Sequence, residues 1–267
     1  MPMAIDNNGN LWRWGDEIRS SMGLPSKDVG SIKPEKIMDN VKHISVGGDN
    51  LNAVVKENGD LYIWGVIYPI DFDLDDPVKA VSYEPVKIMS NVAYVSVGSM
   101  RGAGISAIKD NGELWTWGNI YSNNELVIEP ATNTYKPVKV MDNISHVSTG
   151  AYATIAVNNN GEAFVWGSNF ASSLNKDISG DLLSPNKIMD NIKIAYVSDE
   201  ISSFAAVTND NQLITWGINN YDQLGYKSEK SVGYGPIEHT PKKILDGIIV
   251  GEPVLISQCI ADMHEYI

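Results

Sequence analysis

Short runs of alternating apolar and polar residues recur along this chain. Val41 to Val46 (VKHISV) alternates with the period of two expected of a half-buried strand. Asn52 to Lys56 and Asp60 to Trp64 read as two more short strands. They meet at Asn58-Gly59, a strong hairpin signal that predicts a type I′ turn with both central residues at positive φ. A shorter apolar run, Lys36 to Met38, comes before them and ends at Asp39-Asn40, a dipeptide that favours turns. Gly47 to Asn50 reads as a further turn. No stretch keeps a helical period, so each unit reads as four short strands.

The unit repeats. Its closing Trp-Gly stands at Trp14-Gly15, Trp64-Gly65, Trp117-Gly118, Trp166-Gly167 and Trp216-Gly217, with gaps of 50, 53, 49 and 50 residues. The Asn-Gly turn returns at Asn8-Gly9, Asn111-Gly112 and Asn160-Gly161, and the fourth full unit has Asp210-Asn211 instead. A fifty-residue period of four-stranded units predicts an all-β fold, a β-propeller of antiparallel four-stranded blades. A half-unit opens the chain (Ala4 to Gly15), and another starts at Thr240 (TPKKILDG). The expectation is that they make one composite blade closing a ring of five, the alternative being part of a larger ring. The whole chain, 1–267, reads as one domain, with residues 247–267 departing from the repeat.

Composition narrows the function. Lys plus Arg is 20 against Asp plus Glu 33, a net charge of −13. That balance disfavours nucleic acid, whose binding rests on neutralising phosphates, and suits a partner protein with a basic surface. The single cysteine, Cys259, leaves no internal disulfide. No apolar run reaches membrane-spanning length, and Met1 to Asn10 lacks the regions of a signal peptide. Cytoplasmic residence is therefore expected; a monomer is expected as well.

The repeated phrase, from Pro and Lys-Ile-Met-Asp-Asn to Asn-Gly-x-Leu-Trp-x-Trp-Gly, resembles the repeat of the regulator of chromosome condensation family. Asn220-Tyr221-Asp222-Gln223-Leu224-Gly225 is similar to the N-x-G-Q-L-G that follows Trp-Gly in that family. The likeness runs from Ala4 to about Asp246. It implies a propeller, often seven-bladed, that serves as a protein-binding platform. Its founder is an exchange factor for a small GTPase, and bacterial relatives include a protein inhibitor of β-lactamases. The chain departs from the pattern in having five Trp-Gly phrases, in its acidity, and in lacking the histidine common just after the glycine turn. The resemblance therefore carries over no catalytic residue.

Strand parity divides the loops between two faces. The tight Asp39-Asn40 and Asn58-Gly59 turns fall on one. The other carries the Gly47–Asn50 type turns and the long loops, read as inter-blade connections: 16–32, 66–83, 119–135, 168–183 and 218–239. These long loops share no phrase, and binding residues concentrate on loops held by a rigid scaffold. Aromatic residues, enriched at interface hot spots, make Tyr68, Phe72, Tyr121, Phe170, Tyr221, Tyr226 and Tyr234 the candidates. Met100, Arg101, Tyr152, Asp199 and Glu200 join them from shorter turns. Asp73 and Asp75, within the acidic stretch 71–76, would meet a basic patch.

Other chemistry is weaker. Gly102 to Ala107 fits a loose dinucleotide fingerprint but precedes a strand rather than a helix. The stretch from Asp71 lacks the glycine and glutamate of an EF-hand loop. His43 and His146 share a repeat column with Tyr94, which marks them as structural, and no zinc spacing accompanies the histidines. Trp12 and Trp115 share a column with Tyr62, Phe164 and Ile214, so they read as packing. No cofactor, metal or catalytic group is expected. The reading is a non-enzymatic propeller that binds, and in its sharper form inhibits or sequesters, another protein. The alternatives are a GTPase exchange factor using 218–239 as a wedge, and a carbohydrate-binding propeller.

Overall fold

The computed structural model describes residues 2–14, 33–47, 51–66, 81–98, 104–118, 137–168, 182–198, 203–228 and 236–250. They form five antiparallel sheets. The first has three strands: β1 (Met3–Ile5), β2 (Leu11–Arg13) and β3 (Glu35–Met38). The second holds β4 (Val41–Val46), β5 (Asn52–Lys56), β6 (Leu61–Val66) and β7 (Val81–Met89). The third holds β8 (Val92–Val97), β9 (Ile105–Lys109), β10 (Leu114–Trp117) and β11 (Val138–Met141). The fourth holds β12 (Ile144–Thr149), β13 (Ala153–Asn158), β14 (Ala163–Gly167) and β15 (Leu182–Met189). The fifth holds β16 (Ile192–Val197), β17 (Ser203–Thr208), β18 (Leu213–Ile218) and β19 (Ile237–Leu245).

The strand grouping differs from the expected one. The Glu35–Met38 strand pairs with Leu11–Arg13 and so closes the first sheet instead of opening the second. Likewise the strand containing Thr240 is β19 and pairs with β18, so it completes the fifth sheet and not a composite one. The long loops consequently join the last two strands of a single sheet. The two-residue Asp-Asn turns are what cross between sheets. Parity is unaffected, and long and short connections still lie at opposite ends.

The Asn-Gly turns also depart from type I′. Among the described residues Gly59 has φ +81° while Asn58 is not at positive φ. Gly59 N–H donates to the Lys56 carbonyl at 2.9 Å, and Lys56 N–H to the Asp60 carbonyl at 2.9 Å. That is the pattern of a three-residue loop, a type I turn followed by one left-handed residue in a G1 bulge. Asn211, with φ 60°, takes the glycine's place in the fifth sheet.

These turns clasp neighbouring sheets. Val41, Val92, Ile144 and Ile192 each donate their amide to a turn carbonyl of the preceding sheet: Gly9, Gly59, Gly112 and Gly161, at 2.8–2.9 Å. Each follows an asparagine in the left-handed region, Asn40, Asn91, Asn143 or Asn191, with φ of 57–66°. Asparagine tolerates that conformation better than most residues. Lysines tie the same end together. Lys139 reaches Glu113 (2.8 Å) and Asp142 (2.7 Å), and Lys187 reaches Glu162 (2.5 Å) and Asp190 (2.7 Å).

The core lies between sheets. One facing column pairs Leu61, Ala53 and Val55 of the second sheet with Val95, Ala107 and Trp117 of the third, all buried. The tryptophans Trp64, Trp117, Trp166 and Trp216 are 0–4% exposed, and each faces back onto the preceding sheet. First strands pack on first strands, β4 on β8, β8 on β12 and β12 on β16. That convergence makes them the innermost. At their long-loop ends the backbones nearly touch. A Cβ on Gly47, Gly98 or Gly150 would stand 2.1, 2.4 or 2.6 Å from the next sheet's carbonyl oxygen. The glycines are needed there because no side chain fits.

Between the inner strands runs a line of rings. His43 and Tyr94 have centroids 4.4 Å apart, Tyr94 and His146 5.7 Å, and His146 and Tyr196 4.9 Å. His43 Nε2–H donates to the Val95 carbonyl at 2.8 Å, and His146 Nε2–H to the Ala195 carbonyl at 2.8 Å. The serine two residues later in each strand accepts a backbone amide: Ser45 from Val97, Ser96 from Thr149, Ser148 from Val197. The two histidines are thus inter-sheet fasteners, as their shared column with Tyr94 indicates. Trp12 and Trp115, half-buried, donate their indole N–H groups to Asp6 (2.9 Å) and Glu113 (3.1 Å).

Candidate partner-binding face

The end of the propeller that carries the long loops also carries the free ends of the innermost strands. The loop Asn219 to Ser228 follows β18 there. The loop is built around one buried side chain. Asn219 Oδ1 accepts the Leu224 amide at 3.0 Å, and its Nδ2 donates to the Tyr226 carbonyl (2.9 Å) and the Ser228 hydroxyl (2.7 Å). Gln223 Nε2 donates to the Ile218 carbonyl at 2.9 Å, and its Oε1 accepts the Tyr221 amide at 2.9 Å. Thr215 donates to the Leu224 carbonyl at 2.7 Å. Asp222 and Gly225 supply the two left-handed residues, with φ of 59° and 86°. Leu224 anchors the loop in the core at 2% exposure.

A second cluster fixes the loop to β19. The Ser228 hydroxyl donates to Glu238 (2.7 Å), and Lys242 donates to the other Glu238 oxygen (2.8 Å). The Lys242 bond, aided by Ser228, holds the Glu238 carboxyl below its ordinary range. The Lys242 ammonium lies 4.3 Å from the centroid of the Tyr226 ring, a cation–π contact. Burial pushes the Tyr226 phenol up. Asn219, Gln223, Ser228 and Glu238 are not candidates by residue type. Their signal in the sequence is the Gln-Leu-Gly at 223–225.

The proposed contact residues divide by position. Tyr221 projects from the tip of this loop and is 79% exposed. Tyr226 is half-buried beneath Lys242. Tyr152 is half-buried in the β12–β13 turn, where its carbonyl accepts the Ser168 amide at 2.7 Å, joining that turn to the start of the fourth sheet's long loop. Topology puts all three at the same end. Tyr68, Phe72, Asp73, Asp75, Met100, Arg101, Tyr121, Phe170, Asp199, Glu200 and Tyr234 lie outside the described residues, as does the acidic stretch 71–76. Among the described residues no group of three or more His, Cys, Asp or Glu is placed to hold a metal ion. No described helix is long and apolar enough to cross a membrane. Ile105, within the loose dinucleotide fingerprint, opens strand β9.

Five radially packed antiparallel sheets with a Trp-Gly close to each define the class, a β-propeller of fifty-residue repeats. The repeats resemble those of the regulator of chromosome condensation: the profile of the Regulator of chromosome condensation (RCC1) repeat matches residues 144–171, a range that includes β12, β13 and β14. The chain is 24% identical over 241 residues to the RCC1 domain-containing protein RUG3, mitochondrial, of Arabidopsis thaliana, across 85% of this chain and 53% of that protein. It is 28% identical over 229 residues to the Ultraviolet-B receptor UVR8 of the same plant, across 80% of this chain and 50% of that one. The crystal structure of Prp20p from Saccharomyces cerevisiae overlays with a TM-score of 0.68 at 15% identity, covering 91% of this chain and 61% of Prp20p. The chain therefore spans about half the length of these two plant relatives.

Proposed function

We propose that this protein is a non-enzymatic propeller that binds another protein through its long-loop face, and that the partner presents a basic surface. The observation that carries the reading is Tyr221, an aromatic ring exposed at the tip of a loop whose backbone is tied down by Asn219 and Gln223. A rigid, exposed aromatic loses little conformational entropy on docking, which is what makes such residues binding anchors. The net charge of −13 supports a basic partner. Prp20p, of like fold, was described with its binding to Gsp1p and histones, which supports a protein as the partner class. In the sharper form the chain inhibits or sequesters its partner.

The test is affinity capture with the intact chain as bait beside a variant with Phe72, Tyr121 and Tyr221 all changed to Ala. The captured protein is then purified and titrated against both. Capture by the parent alone, with affinity falling as salt rises, is the expected result. Equal capture by the triple variant overturns the long-loop reading.

A further inference from the structure

Asparagine before glycine is the pairing most prone to lose its side-chain amide, because glycine has no Cβ to hinder its own nitrogen. The reaction is internal. The glycine nitrogen gives its proton to hydroxide and bonds to the asparagine Cγ. The Cγ–Nδ2 bond breaks and ammonia leaves, giving a cyclic succinimide. Water then opens the ring at either carbonyl. One opening leaves aspartate. The other leaves isoaspartate, with the main chain rerouted through Cβ and Cγ. The chain holds four such pairs: Asn8-Gly9, Asn58-Gly59, Asn111-Gly112 and Asn160-Gly161. In each the asparagine is exposed and the glycine is left-handed, with φ of 73–82°. In each the glycine amide donates to the carbonyl three residues back, at 2.8–3.0 Å. The backbone therefore does not distinguish the four pairs, but the side chains do.

Asn58 Oδ1 accepts the Asp60 amide at 3.0 Å, and its Nδ2 donates to the Asp60 carboxylate at 3.1 Å. Asn111 Oδ1 accepts the Glu113 amide at 3.1 Å. Either side chain must give up these bonds to bring its Cγ onto the glycine nitrogen. In the fourth sheet the matching amide, that of Glu162, goes instead to Asn158 Oδ1 at 2.9 Å, and the Asn160 side chain is held by the Glu162 carboxylate. In the first sheet Asp6 takes over. Its Oδ1 accepts the Asn8 and Asn10 amides, both at 2.9 Å, and the Asn10 side chain turns back to the same carboxylate at 2.8 and 3.1 Å. Asn8 is thereby relieved of its turn bond, and among the described residues nothing bonds its side chain. Gly9 is also half-buried where Gly59 and Gly161 are buried, so hydroxide reaches its nitrogen more readily.

We propose that Asn8-Gly9 is a site of spontaneous deamidation, the fastest of the four pairs, and that its isoaspartyl product loosens the junction of the first and second sheets. The Gly9 carbonyl accepts the Val41 amide at 2.8 Å, the bond that clasps those two sheets. The loop that sets this carbonyl is closed twice, by Asp6 N–H to the Asn10 carbonyl at 2.9 Å and by Gly9 N–H to the Asp6 carbonyl at 3.0 Å. Isoaspartate lengthens the main chain by one atom inside that short loop. The extra atom cannot be taken up without displacing Gly9, and with it the acceptor of Val41. Opening to aspartate adds a charge and leaves the backbone as it was. The inference is independent of which partner the long-loop face takes.

The test is peptide mapping by mass spectrometry of the full chain, aged in mildly alkaline buffer at physiological temperature, both folded and in guanidinium chloride. The denatured chain gives each pair's intrinsic rate, so the folded-to-denatured ratio reports the fold alone. Asn8 should react in the fold at close to its denatured rate. Asn58 and Asn111 should fall on the order of tenfold below theirs, the rate equivalent of one side-chain hydrogen bond that must first break. The isoaspartyl fraction, separated by chromatography, should exchange its Val41 amide faster than fresh protein, while Asn8→Asp exchanges as the parent does. A ratio at Asn8 as low as those at Asn58 and Asn111 overturns the site. Unchanged Val41 exchange in the isoaspartyl fraction overturns its effect on the junction.

Discussion

His146 donates its Nε2–H to the Ala195 carbonyl across the junction of the fourth and fifth sheets, at 2.8 Å and in a site only 7% exposed. A carbonyl can only accept, so this nitrogen carries the proton. The ring is neutral, because burial pushes its pKa down to about 4 from an ordinary 6.5. The lowered value has a sign. Below pH 6.5 the unfolded chain's histidine takes a proton that the folded one refuses until about pH 4. Stability is full above pH 6.5 and falls as pH drops toward 4, by about 3 kcal/mol for this site, with no further loss below. His43, also lowered by burial, acts in the same direction. Urea unfolding at stepped pH measures the slope, and His146→Gln should flatten it. An unchanged slope in that variant would place the acid sensitivity elsewhere.

Gly98 tests how closely the inner strands approach. Its Cβ would lie 2.4 Å from the Gly150 oxygen and 3.0 Å from the Gly150 carbon, both backbone atoms that cannot rotate away. Gly98→Ala should therefore cost about 3 kcal/mol or more, at the upper end of overpacking effects. Gly247→Ala is the contrast. Nothing lies within 4 Å of its Cβ, so it bears only the strain of φ +72°, about 1 kcal/mol. Chemical denaturation of both variants measures the difference, and equal losses would count against the close approach.

Asn219 and Tyr221 separate architecture from recognition. Asn219→Ala removes three hydrogen bonds from a side chain 1% exposed, a loss of about 3 kcal/mol that falls first on the loop. Hydrogen exchange at residues 220–228 should accelerate. Tyr221→Ala should leave exchange and unfolding as in the parent and weaken only partner binding. If Tyr221→Ala destabilises the loop as much as Asn219→Ala, the ring is a structural cap and not an anchor.

The repeat is legible because each unit solves the same packing problem. The Trp-Gly spacing, the alternation in VKHISV and the position of the Asn-Gly turns depend on neighbours a few residues away, and they carry over into β4, β5 and β6, although the turn is a three-residue loop and not the expected type I′. The histidine column was also readable, since His43, Tyr94 and His146 align by repeat. The anchoring of the Asn219 loop was not. Glu238 joins Ser228 and the Asn219 loop only when the chain from 219 to 238 folds back on itself, and the Gln-Leu-Gly at 223–225 marks the loop without recording that closure.

The sequence alone determined the number of Trp-Gly units, the antiparallel strands and the two-faced sorting of long and short loops, because turn chemistry and period-two burial act locally. Only the tertiary structure decided which strands share a sheet. The Lys36–Met38 run pairs with Leu11–Arg13 because backbone hydrogen bonds form to the strand lying alongside in space. A four-strand repeat can be cut at any strand without changing its sequence.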